Sequence, residues 1–364
     1  MLKKIFITAF IILNINAPVD TETRVKFLAA GDNIIHAVII EDARERSKDG
    51  GYNFRDMYTP VADIIKSADI SLVNIETPVA GDEFEYAGYP QFNTPKENGY
   101  VLAELFNIIN IANNHMIDQG KQGYRNHINF WESQDVLLIG GFKDEQDFET
   151  VRIYNKDGIS IAFLSYTYGT NGMLLPPESK MTVPLIDKHV IERQIKQARP
   201  LADLLFVVMH WGEEDKHEPN QWQRSLAQMM ADNGVDLIIG MHPHVLQEIK
   251  WVDRLDGGRM LAAYSIGNFI SAQLPAHNLV GAFLELDIVK KDGRTNLENA
   301  QIIPIITHYN NQRKNLRVYR LEDYPAELAE THGCLNNDEK FSYQYLKDLV
   351  TDNIAPEFLS DFYK

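Results

Sequence analysis

In the stretch GMHPHVLQ, residues 240–247, two histidines stand two apart, directly after the apolar run Val235-Asp236-Leu237-Ile238-Ile239. Side chains at i and i+2 of an extended segment project to the same side, so His242 and His244 would address one point beyond a strand end. Two neutral imidazoles at one point are the beginning of a metal site. A turn built around Pro243 that merely carries two loop histidines is the alternative, and the pair alone does not separate the two. Residues of similar chemistry close other apolar runs: Asp32 after VKFLAAG, Glu76 after ISLVNI, Asn114 and His115 after FNIINIAN, His210 after LLFVVM, Asn268 after LAAYSIG. Asp32, Glu76, Asn114, His210, His242 and His244 together offer two carboxylates, one amide and three imidazoles. Mixed oxygen and nitrogen donors suit Mn, Fe or Zn rather than Ca or a thiolate-bound metal, and six donors with one shared carboxylate suit two ions. Two ions a few ångströms apart clamp the oxygens of a phosphoester and activate a water.

The elements that must position these residues follow from the pattern around them. Continuous apolar runs of this length suit strands buried on both faces. Helical spacing fills the intervals at Asp56–Ala68, Lys96–Phe106, Gly120–Gln134, His189–Ala202 and Gln221–Asn233, the last closed by Gly234 as a left-handed C′ residue. Strands alternating with helices imply an α/β layered fold, in which ligands gather beyond the carboxyl ends of the strands. His36, His115, His210, His242 and His244, five of the eleven histidines, lie in or just after the strand-end clusters. Core histidines have no reason to choose that address.

Composition narrows the class. The 364 residues are 45% hydrophobic and 10% aromatic, enough for a large core. Thirty-five basic against 51 acidic residues give a net charge of −16 without a long run of either sign, which excludes a general nucleic-acid binder and favours a cation as partner. The single cysteine, Cys334, excludes an intramolecular disulfide framework and a four-cysteine zinc site. At the N-terminus Lys3 and Lys4 precede an apolar stretch from Ile5 to Ile15 and then Ala17-Pro18. Residues 1–20 therefore read as a signal peptide or an uncleaved N-terminal anchor, and the protein is expected outside the cytoplasm, secreted or held at the cytoplasmic membrane. Beyond Ile306 the text turns polar and then helical, so residues 307–364 are expected to form a C-terminal extension without nameable chemistry.

The motifs AAGDNIIH, VNIETP, IANNHMIDQG, YTYGTNG, VMHWGEE, GMHPHVLQ and YSIGNF, in this order, resemble those of the CapA family of bacterial capsule (poly-γ-glutamate, PgsA) synthesis proteins, a group of the calcineurin-like metallophosphoesterase fold superfamily. The resemblance covers residues 25–306. It implies a four-layer α/β/β/α sandwich, which the strand and helix pattern alone does not separate from a doubly wound sheet. It implies that Asp32 opens the metal site, that Glu76 stands at the bridging position, that Asn114 and His210 are ligands, and that His242 and His244 serve different ions. His115 would then protonate the leaving group instead of binding metal. Two positions depart from the superfamily pattern. Ile34 stands where Asp-x-His has its histidine, and His36 replaces it only if residues 32–36 turn into a helix; Glu76 for Asp lengthens the bridge by one carbon. Around the site Glu213 is expected to orient an imidazole, Asn268 to make a polar contact at the floor, and the loops 89–95 and 168–172 to wall a substrate or simply to be turns.

The resemblance carries two readings. One is an exported metal-dependent hydrolase or transferase acting on an anionic cell-envelope polymer or phosphoester in capsule or poly-γ-glutamate synthesis or processing. The other is a non-catalytic scaffold beside membrane subunits of a capsule synthase. The full histidine set favours the first, Ile34 the second.

Overall fold

A computed structural model describes residues 22–338 and 340–363; the expected export segment lies outside them. The described chain forms, in order, strands β1 (Thr23–Asn33), β2 (Ile70–Ile75), β3 (Ile108–Asn110), β4 (Leu137–Ile139), β5 (Arg152–Lys156), β6 (Ile159–Thr167), β7 (Leu204–His210), β8 (Leu237–Met241), β9 (Ile249–Asp253), β10 (Arg259–Ala263), β11 (Asn268–Ile270), β12 (Val280–Lys291), β13 (Arg294–His308) and β14 (Arg317–Arg320). They make two sheets. The eight-stranded sheet runs β14-β13-β12-β1-β2-β3-β4, with β11 also pairing β1, and the six-stranded sheet runs β5-β6-β7-β8-β10-β9. The fold class is the expected mixed α/β, resolved into two sheets.

Strand β7 shows why its sequence is apolar throughout. Leu204, Phe206 and Val208 point into the core between the sheets, where Phe206 meets Phe27 of β1 edge to face at 5.2 Å. Leu205, Val207 and Met209 point the other way, onto Ile191 and Ile195 of the helix Lys188–Ala198 and Leu226 and Met230 of the helix Gln221–Asp232. Both faces are buried, so the period-two alternation of a half-exposed strand is erased. The helix Gln221–Asp232 begins with a capping box, Asn220 and Gln223 exchanging side-chain and backbone bonds, and Gly234 follows it at φ +92° as expected.

The segment after residue 306 holds more than helix. β13 runs through that position and β14 pairs with it as the edge of the first sheet, before the helix Tyr343–Asn353. Asp42, in the helix Ala37–Arg46, clamps this segment. Its carboxylate accepts the backbone N–H groups of Asn315 (2.9 Å) and Leu316 (3.0 Å) and pairs with Arg46 at 2.6 Å. Among the described residues no helix is long and apolar enough to cross a membrane.

Candidate metal centre

The carboxyl ends of the central strands of both sheets meet at one place. β1 delivers Asp32, the residue after β2 is Glu76, β7 ends on His210, and β8 is followed by His242 and His244. A bond across the sheets ties them: the His242 backbone N–H donates to Asp32 Oδ2 at 3.0 Å. Within the second sheet, the chain after β10 packs closely on β8 because residue 240 is glycine; a Cβ there would lie 1.8 Å from the Tyr264 carbonyl oxygen.

The His-Pro-His segment is not the extended strand that its spacing suggests. β8 stops at Met241, and His242 (φ +95°) and His244 (φ +59°) both take left-handed backbone conformations, costly for residues with a Cβ and typical of sites where geometry matters more than local stability. The imidazoles converge through this turn, with ring centroids 5.7 Å apart, and His242 lies 4.9 Å from His210.

Two donor groups result. Glu76, His242 and His244 place ligand atoms within 4.8 Å of one another, and so do Asp32, Glu76 and His210; Glu76 belongs to both, the position the resemblance assigns to a bridge. Glu76 Oε1 lies 3.7 Å from both His210 Nε2 and His244 Nε2, and Asp32 Oδ2 lies 3.4 Å from His244 Nδ1. Asn114 Oδ1 is within hydrogen-bond distance of His210 Nε2, at 2.8 Å, so the amide oxygen also faces this cluster. All six residues are at least 96% buried.

Such burial is costly without a cation. Glu76 is pushed well above the usual carboxylate range, first by burial and then by the charge of Asp32. Burial, reinforced by neighbouring imidazoles, holds His210 well below its ordinary value and His242 at about 3. Burial would lower His244 too, but Glu76 and Asp32 outweigh it and hold it at about 10. Glu76 Oε2, His210 Nδ1 and His242 Nδ1 are buried with no hydrogen-bond partner. Two imidazoles held neutral, a third drawn to two carboxylates, and buried atoms without partners fit a divalent ion, which would take the place of the proton on His244.

His115 sits at the edge of the cluster. Its Nδ1 is 2.8 Å from Asp118 Oδ2, an oxygen that also accepts the Phe92 backbone N–H at 2.8 Å, and the Phe92 ring meets the imidazole edge-on at 4.8 Å. Asn171, at φ +52° in the loop 168–172, accepts from Asn114 Nδ2 at 3.2 Å and sets its own Nδ2 3.4 Å from His115 Nδ1. Tyr168 of the same loop covers His242, ring centroids 4.4 Å apart. Both loops expected as walls therefore border the site.

Two expectations are corrected. Residues 32–36 form no helix: β1 continues to Asn33 and His36 stands just before the helix Ala37–Arg46, its Nδ1 accepting the Ala272 backbone N–H at 3.2 Å. The ring belongs to neither donor group, so Ile34 is not compensated that way. Glu213 orients no imidazole; it is exposed and accepts from Asn220 Nδ2 at 3.2 Å, while the adjacent Glu214 is the carboxylate whose charge reaches Glu76 and His244. Asn268 does make its polar contact, its Oδ1 accepting from His244 Nδ1 at 3.0 Å. The sequence reading missed Asp118 and Asn171. The first has a signal, a carboxylate three residues after His115 and just before a helix; the second has none beyond its Asn-Gly turn.

Residues 26–273 match the family model described as bacterial capsule synthesis protein PGA_cap. The chain is 30% identical over 256 residues to the PGA biosynthesis protein CapA of Bacillus subtilis, covering 68% of this chain and 64% of that one. It is 30% identical over 226 residues to the capsule biosynthesis protein CapA of Bacillus anthracis, covering 60% and 54%. The chain thus spans less than two thirds of the length of either relative. Among solved structures, it is similar to the Haemophilus influenzae NAD nucleotidase NadN, with 12% identity, TM-score 0.48 and coverage of 93% of this chain and 57% of that one. It is equally similar to the calcineurin-like phosphoesterase YfkN of Bacillus subtilis, with 12% identity, TM-score 0.48 and coverage of 90% and 99%. Structural likeness of that degree carries no argument about chemistry.

Proposed function

The chain belongs to the family of bacterial capsule synthesis proteins matched by PGA_cap, and from that premise we propose that it is a metal-dependent hydrolase acting at the cell envelope, on an anionic capsule polymer such as poly-γ-glutamate or on a phosphoester. The observation that carries the reading is Glu76 shared between two buried donor groups, with His115 held beside them. Asp32, Glu76, Asn114, His210, His242 and His244 would hold one or two ions of Mn, Fe or Zn, which supply a Lewis acid and an activated water when bound. Two divalent ions against two carboxylates leave a net positive centre, and that centre attracts an anion.

The chain's own residues do the rest. Asp118 accepts from His115 Nδ1–H and fixes the ring, so it is the doubly protonated imidazolium that would give its Nε2 proton to the leaving oxygen. Asn171 and Tyr168 border the substrate side of Asn114 and His242, and Phe92 keeps water from the flank of His115. Export through the segment Ile5–Ile15 would bring the centre to the envelope.

The purified chain, stripped of metal and given Mn, Fe or Zn in turn, is screened against phosphoesters and γ-glutamyl peptides. Turnover that follows the metal is expected; a chain that binds metal yet turns over neither class would favour the second reading, a scaffold for membrane synthase subunits. A specific observation supports that alternative: Ile34 replaces a histidine and His36 spends its Nδ1 on the Ala272 backbone.

A further inference from the structure

The carboxylate of Asp32 is fully buried, so its orientation rests on what the surrounding strands offer it. Asn74, on β2 beside it, donates from Nδ2 to Asp32 Oδ1 at 2.6 Å. Asn74 Oδ1 in turn accepts from Asn110 Nδ2 of β3 at 2.7 Å, and Asn110 Oδ1 accepts the Ser165 hydroxyl of β6. Asn74 and Asn110 have no exposed surface and Ser165 is 4% exposed.

The bonds all point one way. Ser165 belongs to the six-stranded sheet and the other three residues to the eight-stranded one, so the chain of donors crosses between the sheets and ends on a carboxylate oxygen of the metal centre. Each amide receives a hydrogen bond on its oxygen and gives one from its nitrogen, an arrangement in which successive bonds polarise one another. With Oδ1 engaged by Asn74 and Oδ2 by the His242 N–H, the carboxylate plane is set before any cation arrives. Polar groups are expensive in a core, and Leu or Val would fill these positions if only packing mattered.

We infer that Ser165, Asn110 and Asn74 form a relay of positioning residues that fixes the carboxylate of Asp32 for metal binding. The inference rests on the metal reading above and adds three residues to it, none of which touches the ion. Supporting partners of this kind typically change metal affinity by about 10- to 100-fold when removed.

The test is titration of the metal-stripped full chain with Mn(II) and with Zn(II), with thermal unfolding of the metal-free form measured in parallel. Asn74→Ala is expected to weaken binding by about 10- to 100-fold and Ser165→Ala by less. In the Asn74→Ala background, Ser165→Ala should have no further effect on affinity, because the relay is already cut. Gln194→Ala serves as the control: it removes an equally buried amide, bonded to Tyr166 and Phe148 and outside the relay, so it should lower the melting temperature and leave affinity unchanged. Should Asn74→Ala fail to fold, Ser165→Ala against Asn110→Ser, singly and together, reads the same coupling. Wild-type affinity in the folded variants, or additive effects of Ser165→Ala and its partner, would overturn the relay. A wild-type chain that binds neither ion would overturn the metal reading and the relay with it.

Discussion

Two groups of buried histidines in this molecule have opposite characters. In the first, His210, His242 and His244 crowd around Glu76 and Asp32, and several nitrogens and oxygens lack hydrogen-bond partners. In the second, His308 and His332 meet edge to face at 5.0 Å among Tyr309, Tyr324 and Phe341, and both nitrogens of His332 and Nδ1 of His308 have ordinary partners. The Tyr324 hydroxyl lies 2.7 Å from His308 Nδ1, while His332 accepts the Cys334 N–H at 2.9 Å and donates from Nε2 to the Thr307 carbonyl at 3.1 Å. Among the described residues, only the groups sharing Glu76 gather carboxylate and imidazole closely enough to hold an ion. Burial of histidine is therefore no mark of a metal centre by itself. The mark is burial that leaves charge and lone pairs uncompensated.

The sharpest way to break the contrast is to empty the first group. Glu76→Ala removes the donor common to both sets, and bound metal measured by elemental analysis should fall to near zero; His210→Ala, His242→Ala and His244→Ala should each lower metal content and melting temperature together. His332→Ala should leave the metal content unchanged. Metal lost from the His332 variant, or retained in all the ligand variants, would erase the distinction.

Next in size is the effect of His115, beside the centre but outside the donor groups. His115→Ala should retain its metal and lose about 100- to 10,000-fold in turnover, most on substrates with poor leaving groups and least on activated aryl phosphates. A variant with full turnover on both classes would remove the proton donor from the mechanism.

For the second group the expected losses are in stability alone. His332→Ala leaves the Cys334 N–H unsatisfied and opens space among aromatic rings, at a cost of about 2 to 3 kcal/mol read from denaturant unfolding. Smallest is the pH response. Burial holds both His308 and His332 at about 4, against an ordinary 6.5. As pH falls below 6.5 the unfolded chain takes up protons that the folded chain refuses, so this stability is complete above pH 6.5 and is lost progressively down to about 4. By pH 5.5 the loss should reach about 1 kcal/mol per group. In a His308→Phe variant that slope should shrink; an unchanged slope would mean that other groups carry it.

The sequence exposed the site better than it exposed the architecture, for a physical reason. A ligand at the end of a buried strand interrupts an apolar run, so Asp32, Glu76, His210 and the His242/His244 pair stand out. Which sheet a strand joins leaves no such trace: β1 and β7 are apolar on both faces and read alike, although they belong to different sheets. The antiparallel strands β12 and β13 escaped notice because no chemistry marks their ends. Expectations at single-residue resolution failed where direction mattered. Glu213 and Glu214 are adjacent and chemically identical, and only backbone geometry decides that Glu213 bonds to Asn220 while the charge of Glu214 reaches Glu76. His36 could stand in for Ile34 only with a helix at residues 32–36, and β1 continues there instead. Asn171 acts through contacts with residues from another segment, which no local pattern encodes, whereas Asp118 stands three residues after His115 and its spacing is there to be read.

The position of β1 between β2 and β12 also sets an order in time. Thr23 faces Lys290 and Ala30 faces Phe283 across the antiparallel pair. The strand that carries Asp32 is among the first parts of the described chain to be synthesised, yet one of its edges stays open until residues 283–290 exist. The first sheet cannot close around a growing chain, and its contacts are dominated by distant partners, the kind whose loop-closure entropy must be met before any reward. A chain still being synthesised therefore lacks the β12 edge of this sheet, and the strand that carries Asp32 is framed on both sides only when nearly the whole polypeptide is present.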